Sequence, residues 1–200
     1  MAGPAITSVL SGEYNPGGKL PYTLYPMSIM DRPFTAMNLQ TDGGITHQWY
    51  KGTPDYAFGA GGSYTTFSYR WPSASDGGCG AGPGKLGIAQ VAKAPPRFCV
   101  AVTNTGDRGG SAVVLAFITS AHPDWPSKRL FGFARHSIKR GASVTVSIQA
   151  AAEFASTVSE DGVRKLLPGS FEVSLGGIDA PARHRFELTG PALTLEAYPS

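Results

Sequence analysis

Arg97-Phe98-Cys99-Val100-Ala101-Val102-Thr103-Asn104, followed at once by Thr105-Gly106-Asp107, is the stretch that decides the fold. Phe98, Val100 and Val102 recur at every second position, so they share one face of an extended segment, and the Asn-Thr-Gly-Asp cluster supplies the turn that ends it. The same grammar recurs along the chain. Phe67, Tyr69 and Trp71 alternate within 63–71, Val144, Val146 and Ile148 within 143–150, Phe171, Val173 and Leu175 within 170–176, and Phe186 and Leu188 within 183–190. Residues 111–119 are apolar on both faces, as a central strand covered twice would be, while 130–138 place Phe131, Phe133 and Arg135 on one face. Turn clusters such as Lys139-Arg140-Gly141 and Pro168-Gly169 separate these segments. Seven strands punctuated in this way predict an all-β fold, an immunoglobulin-like two-sheet sandwich.

Upstream of that body the pattern changes. Residues 3–10 are small and apolar and predict one or two helical turns that Gly12 stops. Tyr14-Asn15-Pro16-Gly17-Gly18 is a turn cluster, and 19–25 read as a short strand that Pro21 confines to a sheet edge. From 26 to 62 alternation is lost, yet Met27, Ile29, Met30, Phe34, Met37, Trp49, Tyr50, Tyr56 and Phe58 remain. A connection this long and this apolar is expected to be an ordered linker lying across a domain surface. Residues 150–155 predict a helical turn, and the glycine-rich 76–84 a mobile loop.

With 200 residues, 42% of them hydrophobic, the chain can bury one main core, and its 26 glycines and 16 prolines favour many turns over a helical bundle. The net charge of +3 is spread over separate pairs such as Lys128–Arg129, Lys139–Arg140 and Arg164–Lys165. That scatter argues against nucleic acid and anionic membrane as partners. The longest apolar run, 112–118, is far short of the roughly 18 residues of a membrane span. Met-Ala-Gly-Pro at the start has none of the basic-then-apolar character of a signal peptide, which leaves the compartment open. Two cysteines, Cys79 and Cys99, are too few for a disulfide scaffold or a cysteine zinc site; they can pair or stay free.

Catalytic motifs fail on inspection. Around Gly77–Leu86 a phosphate-cradling loop would need glycine where Cys79 stands and a hydroxyl where Leu86 stands. Tyr64 occupies the third glycine of a dinucleotide fingerprint begun at Gly59. His47, His122, His136 and His184 lie in separate segments without metal-ligand spacing and read as surface or strand-edge residues. Glycoside hydrolysis needs two carboxyl groups facing each other across a bond. Here Glu160 and Asp161 are neighbours in a turn, Asp107 and Asp124 sit in loops, and Glu172 and Glu187 point outward from strands. No catalytic, metal-binding or cofactor-binding residue is assigned, and no cofactor is implied. Trp49, Tyr50, Tyr56, Phe58 and Tyr64 are the candidates for contact, either with the faces of sugar rings or with a neighbouring domain.

Asn15-Pro16-Gly17-Gly18-Lys19-Leu20-Pro21 resembles the close of the α/β domain of family-3 glycoside hydrolases. Trp49-Tyr50-Lys51-Gly52 and Phe58-Gly59-Ala60-Gly61-Gly62-Ser63-Tyr64-Thr65-Thr66-Phe67 resemble that family's approach to its fibronectin type III-like domain, with Ala57, Ala60 and Gly62 where the family has proline, tyrosine and leucine. Val102-Thr103-Asn104-Thr105-Gly106-Asp107, the stretch 126–135, Gly141 and Pro168-Gly169-Ser170-Phe171 are similar to later landmarks of the domain. The resemblance implies a remnant of an α/β domain over 1–26, an interdomain linker over 27–62 and a fibronectin type III-like sandwich over 63–200. It further implies a parent enzyme of the β-xylosidase and α-arabinofuranosidase or β-glucosidase kind, in a family often secreted or cell-wall bound. The partners it implies are that parent's catalytic domains and plant cell-wall polysaccharide or oligosaccharide. The family's catalytic carboxylates belong to earlier domains and match no position here. A stand-alone binding module for a glycan or a protein is the competing reading.

Overall fold

The computed structural model describes residues 2–73, 79–122, 125–159, 161–179 and 181–196. Eleven strands form among them: β1 (Phe67–Arg70), β2 (Lys85–Gly87), β3 (Arg97–Asn104), β4 (Gly110–Ser120), β5 (Arg129–Ile138), β6 (Ser143–Gln149), β7 (Ser156–Val158), β8 (Arg164–Leu166), β9 (Gly169–Gly176), β10 (Ala182–Thr189) and β11 (Leu193–Glu196). All seven strands expected within 63–190 are present. The additional β2, β7, β8 and β11 are three or four residues long, too short for an alternation to register in the sequence. The strands order as β1-β3-β6, β2-β10-β9-β4-β5 and β11-β8-β7, so three sheets stand where two were expected, the third built wholly from short strands.

The first two sheets share one core. Phe98, Val100 and Val102 of β3 with Val146 and Ile148 of β6 meet Val114, Ala116 and Ile118 of β4, Val173 and Leu175 of β9, and Phe186 and Leu188 of β10. Phe98 sits 5.7 Å from Phe131 and 6.0 Å from Phe154. Each such side chain contributes about 1.5–3 kcal/mol by leaving water. Beside this core Asn104 is fully buried and fully used. Its Oδ1 accepts from the Thr65 hydroxyl at 2.7 Å and the Gly106 N–H at 3.2 Å, and its Nδ2 donates to the carbonyls of Arg108 at 2.8 Å and Ile138 at 3.0 Å. That network fixes the turn after β3.

β4 is covered on both faces, as its sequence requires. Leu115 and Phe117, opposite to Val114 and Ala116, are buried beneath the segment that precedes β1. A β-carbon at Gly59 would fall 2.5 Å from Leu115 Cδ1, and the Phe58 ring stands edge-on to Phe117 at 6.0 Å. β5 departs from expectation. Its pairing puts Gly132 opposite Ala116 but Leu130 opposite Phe117, leaving Phe131 as the extra residue of a bulge. Phe131 therefore turns toward Phe98 while Phe133 and Arg135 stay exposed, and the three do not share a face.

In the segment before β1, helix α1 (Ala2–Leu10) fulfils the expected helical turns. No strand forms over 19–25: Leu24 makes a single bridge with Tyr56, and Leu20 N–H bonds the Ala60 carbonyl at 2.8 Å. Pro21 and Pro26 lack the donors a ladder needs on either side. A 3-10 turn (Met27–Asp31) and a short helix α2 (Thr46–Trp49) follow. Asn15 ties the segment to the β-rich body, donating to the Gly109 carbonyl at 3.0 Å and accepting from Ser63 at 3.0 Å and the Tyr64 N–H at 2.8 Å.

Two elements complete the body. Helix α3 (Ile88–Lys93), unforeseen because it is only six residues long, buries Ile88 and Val91. A 3-10 turn (Ala152–Ala155) falls where a helical turn was expected. Of the loop expected to be mobile, 76–78 lie outside the described residues. Its second half is anchored: Cys79 and Cys99 form a disulfide, and Cys99 N–H donates to the Gly80 carbonyl at 3.2 Å.

Candidate functional site

Before Thr65 the only buried residues among those described are Gly17, Gly44 and Gly59. Conversely, every exposed large hydrophobic side chain among the described residues lies between Ile6 and Tyr64, except Phe133, Val158 and Leu193. Met27, Met30, Phe34 and Met37 are each 75% exposed or more. Single exposed hydrophobics are ordinary, but four within one short loop mark an interaction surface. Arg32 explains how that loop keeps its shape without an apolar interior. Its guanidinium donates to the carbonyls of Thr41, Ala36 and Asn38 at 3.0, 3.0 and 2.7 Å.

Beside this surface a cleft of about 400 Å3 opens between residues 21–25 and α2, with Tyr22, Thr23, Tyr25, His47, Gln48 and Phe58 on its walls. Tyr25 stands edge-on to Tyr50 at 4.9 Å, and its hydroxyl accepts the Thr46 N–H at 2.6 Å. His47 stacks on Phe58 at 4.2 Å, and both rings rest on Phe117 of β4. Gln48 presents its carbonyl to the Ser127 N–H at 2.7 Å, which brings Lys128 alongside, its ammonium 5.1 Å above the Phe117 ring.

The polar groups here are poorly satisfied. Thr23 Oγ1 and His47 Nε2 are buried without a hydrogen-bond partner. Burial, and secondly the charge of Lys128, push the His47 pKa down, so its ring is neutral at pH 7. Burial likewise lowers the Lys128 pKa. Thr46 holds a φ of 64°, in the left-handed region that a β-branched residue avoids.

The five expected aromatic contacts are not brought together. Phe58 lines the cleft, Tyr50 supports Tyr25 from behind, and Trp49 is half-buried within α2. Tyr56 lies exposed opposite Leu24. Tyr64 is at the Asn15 end, donating its hydroxyl to the Val9 carbonyl at 2.7 Å under the Arg108 guanidinium. Thr23, Tyr25, His47 and Lys128 were missed because three separate segments meet to assemble them, and no local spacing announces such a meeting.

Asp107, Asp161, Glu172 and Glu187, the described carboxylates among those weighed for hydrolysis, are held as ion pairs or turn acceptors. Glu172 accepts from Arg185 and Arg183 at 2.9 Å each, and these hydrogen bonds hold its pKa below the usual range. Asp161 is lowered by its hydrogen bond from the Ser159 hydroxyl. A general acid needs the opposite shift. Glu187 pairs with Lys85 at 3.6 Å, and Asp107 with Arg108 at 3.9 Å. Asp124 and Glu160 lie outside the described residues. Among the described residues no three His, Cys, Asp or Glu side chains gather as a metal site would require.

Comparison with known proteins places this arrangement. A fibronectin type III-like domain family matches residues 112–177. Exo-1,4-beta-xylosidase bxlB of Emericella nidulans is 35% identical over 98% of this chain, and exo-1,4-beta-xylosidase xlnD of Aspergillus oryzae is also 35% identical over 98%. Each alignment occupies 27% of the fungal protein, so the chain spans about a quarter of the length of these relatives. The solved structure of a GH3 exo-beta-xylosidase (XlnD) matches 99% of this chain and 27% of its own, with a TM-score of 0.87 at 29% identity. Beta-glucosidase from Kluyveromyces marxianus matches 98% of this chain and 24% of its own, with a TM-score of 0.74 at 25% identity. Over 98% of its length the chain matches the C-terminal, fibronectin type III-like region of family-3 glycoside hydrolases.

Proposed function

We propose that this chain serves as the C-terminal part of a glycoside hydrolase acting on β-linked xylosides or glucosides, bracing the catalytic domains without supplying a catalytic carboxylate. In this reading residues 1–26 close an α/β domain, 27–62 link it across an interface, and 63–200 form a fibronectin type III-like sandwich with the short-stranded sheet appended. The observation that carries it is the exposed run of Met27, Met30, Phe34 and Met37. Covering each of these would contribute about 1.5–3 kcal/mol. The relatives' remaining length supplies a body to do so within the same polypeptide.

The test is association. This chain, mixed with a catalytic part that lacks the corresponding region, should form a complex that Ser substitution at Met27, Met30, Phe34 and Met37 abolishes. The chain alone should release no nitrophenol from an aryl xyloside. A catalytic part that is fully stable by itself and ignores the chain would sink the proposal. The competing reading, a stand-alone glycan-binding module, draws support from the aromatic walls Tyr22, Tyr25 and Phe58 of the cleft. It predicts that xylan or xylo-oligosaccharides change the tryptophan fluorescence of the chain, and silence at millimolar sugar would remove it.

A further inference from the structure

The cleft beside α2 concentrates costs that its own residues leave unrelieved. Thr23 Oγ1 and His47 Nε2 are buried there without partners, and an unmet buried donor or acceptor destabilises the fold. Lys128 is half-buried over Phe117, and no carboxylate among the described residues forms an ion pair with it. Thr46, whose N–H is held by the Tyr25 hydroxyl, keeps a strained backbone. The Thr23 hydroxyl and the Lys128 ammonium are donors, as is His47 Nε2 in the tautomer that carries its proton there; Thr23 and His47 line one cavity of about 400 Å3, and Lys128 stands near enough to His47 for its charge to act on the ring.

We infer that this cleft receives an aspartate or glutamate side chain presented by the catalytic part of the same enzyme, held by Thr23, His47 and Lys128. The inference rests on the assignment of the chain to a larger glycosidase. An ionised carboxylate accepts only and offers about four lone-pair sites, which matches three donors and neutralises the lysine. A neutral sugar brings donors as well as acceptors and leaves the ammonium uncompensated. Because Thr23 Oγ1 and His47 Nε2 have no solvent contact, the occupant reaches them only if the α2 turn relaxes. The strain at Thr46 makes that turn the segment that gives.

Lys128→Met, Lys128→Arg and Thr23→Val are compared in two measurements, melting of the chain alone and its dissociation constant for the separately prepared catalytic part. In the chain alone, Lys128→Met should leave the melting temperature unchanged or raise it, since a desolvated charge is removed. In the complex it should weaken binding by tenfold or more, Thr23→Val by less, and Lys128→Arg should keep most of the affinity. Unchanged affinity for Lys128→Met and Thr23→Val overturns the inference, whereas failure of the unsubstituted chain to bind overturns the parent assignment instead. Stabilisation of the chain by xylose that Thr23→Val removes would identify a sugar as the occupant and equally overturn it. Should Lys128→Met fail to fold, Thr23→Val carries the comparison.

Discussion

Between Leu86 and Leu188 the chain buries a phenylalanine-centred core, whereas between Ala2 and Tyr64 it buries three glycines and turns its large apolar side chains outward. The two regions meet through close backbone approaches and through the Phe58 and His47 rings set against Phe117. A β-carbon at Gly17 would fall 2.8 Å from the Ser111 carbonyl oxygen, and Gly59 lies as close over Leu115 with a φ of 85° that only glycine adopts freely. Asn15 adds the polar anchor. The contrast teaches where stability and surface reside: the later region holds the fold, and the earlier one is fixed on top of it with its large apolar side chains outward.

The largest effect that could break this comparison is a matched pair of truncations. Phe98→Ala should destabilise the chain by about 3–5 kcal/mol, because a fully enclosed ring leaves a cavity that its neighbours cannot fill. Phe34→Ala, at an exposed position, should stay within about 0.5 kcal/mol. Urea unfolding of both variants reads the difference, and comparable losses would mean that the earlier region has a core of its own. Next in size, replacing Cys79 and Cys99 by alanine should cost about 3 kcal/mol, the loop-closure value for residues 20 apart in sequence. The same loss should follow reduction of the native chain. A shift that also released the 14–64 segment in hydrogen exchange would blur the boundary between the regions, since the bridge lies wholly within the later one.

The body was legible because its strands are long enough to show a period. Phe98, Val100 and Val102 announce β3, and the two-sided hydrophobicity of β4 announces that something lies over it, which is the segment carrying Phe58 and Gly59. What failed was local geometry that periodicity cannot see. The bulge at Phe131 reverses the faces of half of β5, and three-residue strands such as β2 exist only because β10 offers an edge. In the earlier region composition revealed an apolar surface but not the cleft. His47 reads in sequence as an isolated histidine and acquires meaning only where α2 sets it on Phe58 beside Lys128. Trp49, Tyr50, Tyr56, Phe58 and Tyr64, the candidates for contact, are close in sequence, yet the chain turns between them and points them different ways.

The smallest effect separates the regions by charge rather than by burial. Glu172 joins β9 to β10 through Arg185 and Arg183, and hydrogen bonding to both guanidinium groups holds its pKa below that of an unfolded glutamate. A carboxyl lowered in the fold adds stability that is complete above its unfolded pKa and is lost as the pH falls through its folded one. Glu172→Gln should therefore cost up to about 1 kcal/mol at neutral pH, discounted because both arginines are largely in water. The gap to the unsubstituted chain should close in acid, below the ordinary glutamate range. Urea midpoints of the two proteins, followed downward in pH, measure that convergence; a gap that stays constant would show that Glu172 acts through packing instead. The Asn15 anchor, an amide with no proton to gain in this range, should hold residues 14–64 in place across the same titration. Amide protection at Leu20 and Leu24 surviving while β9 and β10 loosen would confirm that the two regions are held by different chemistry.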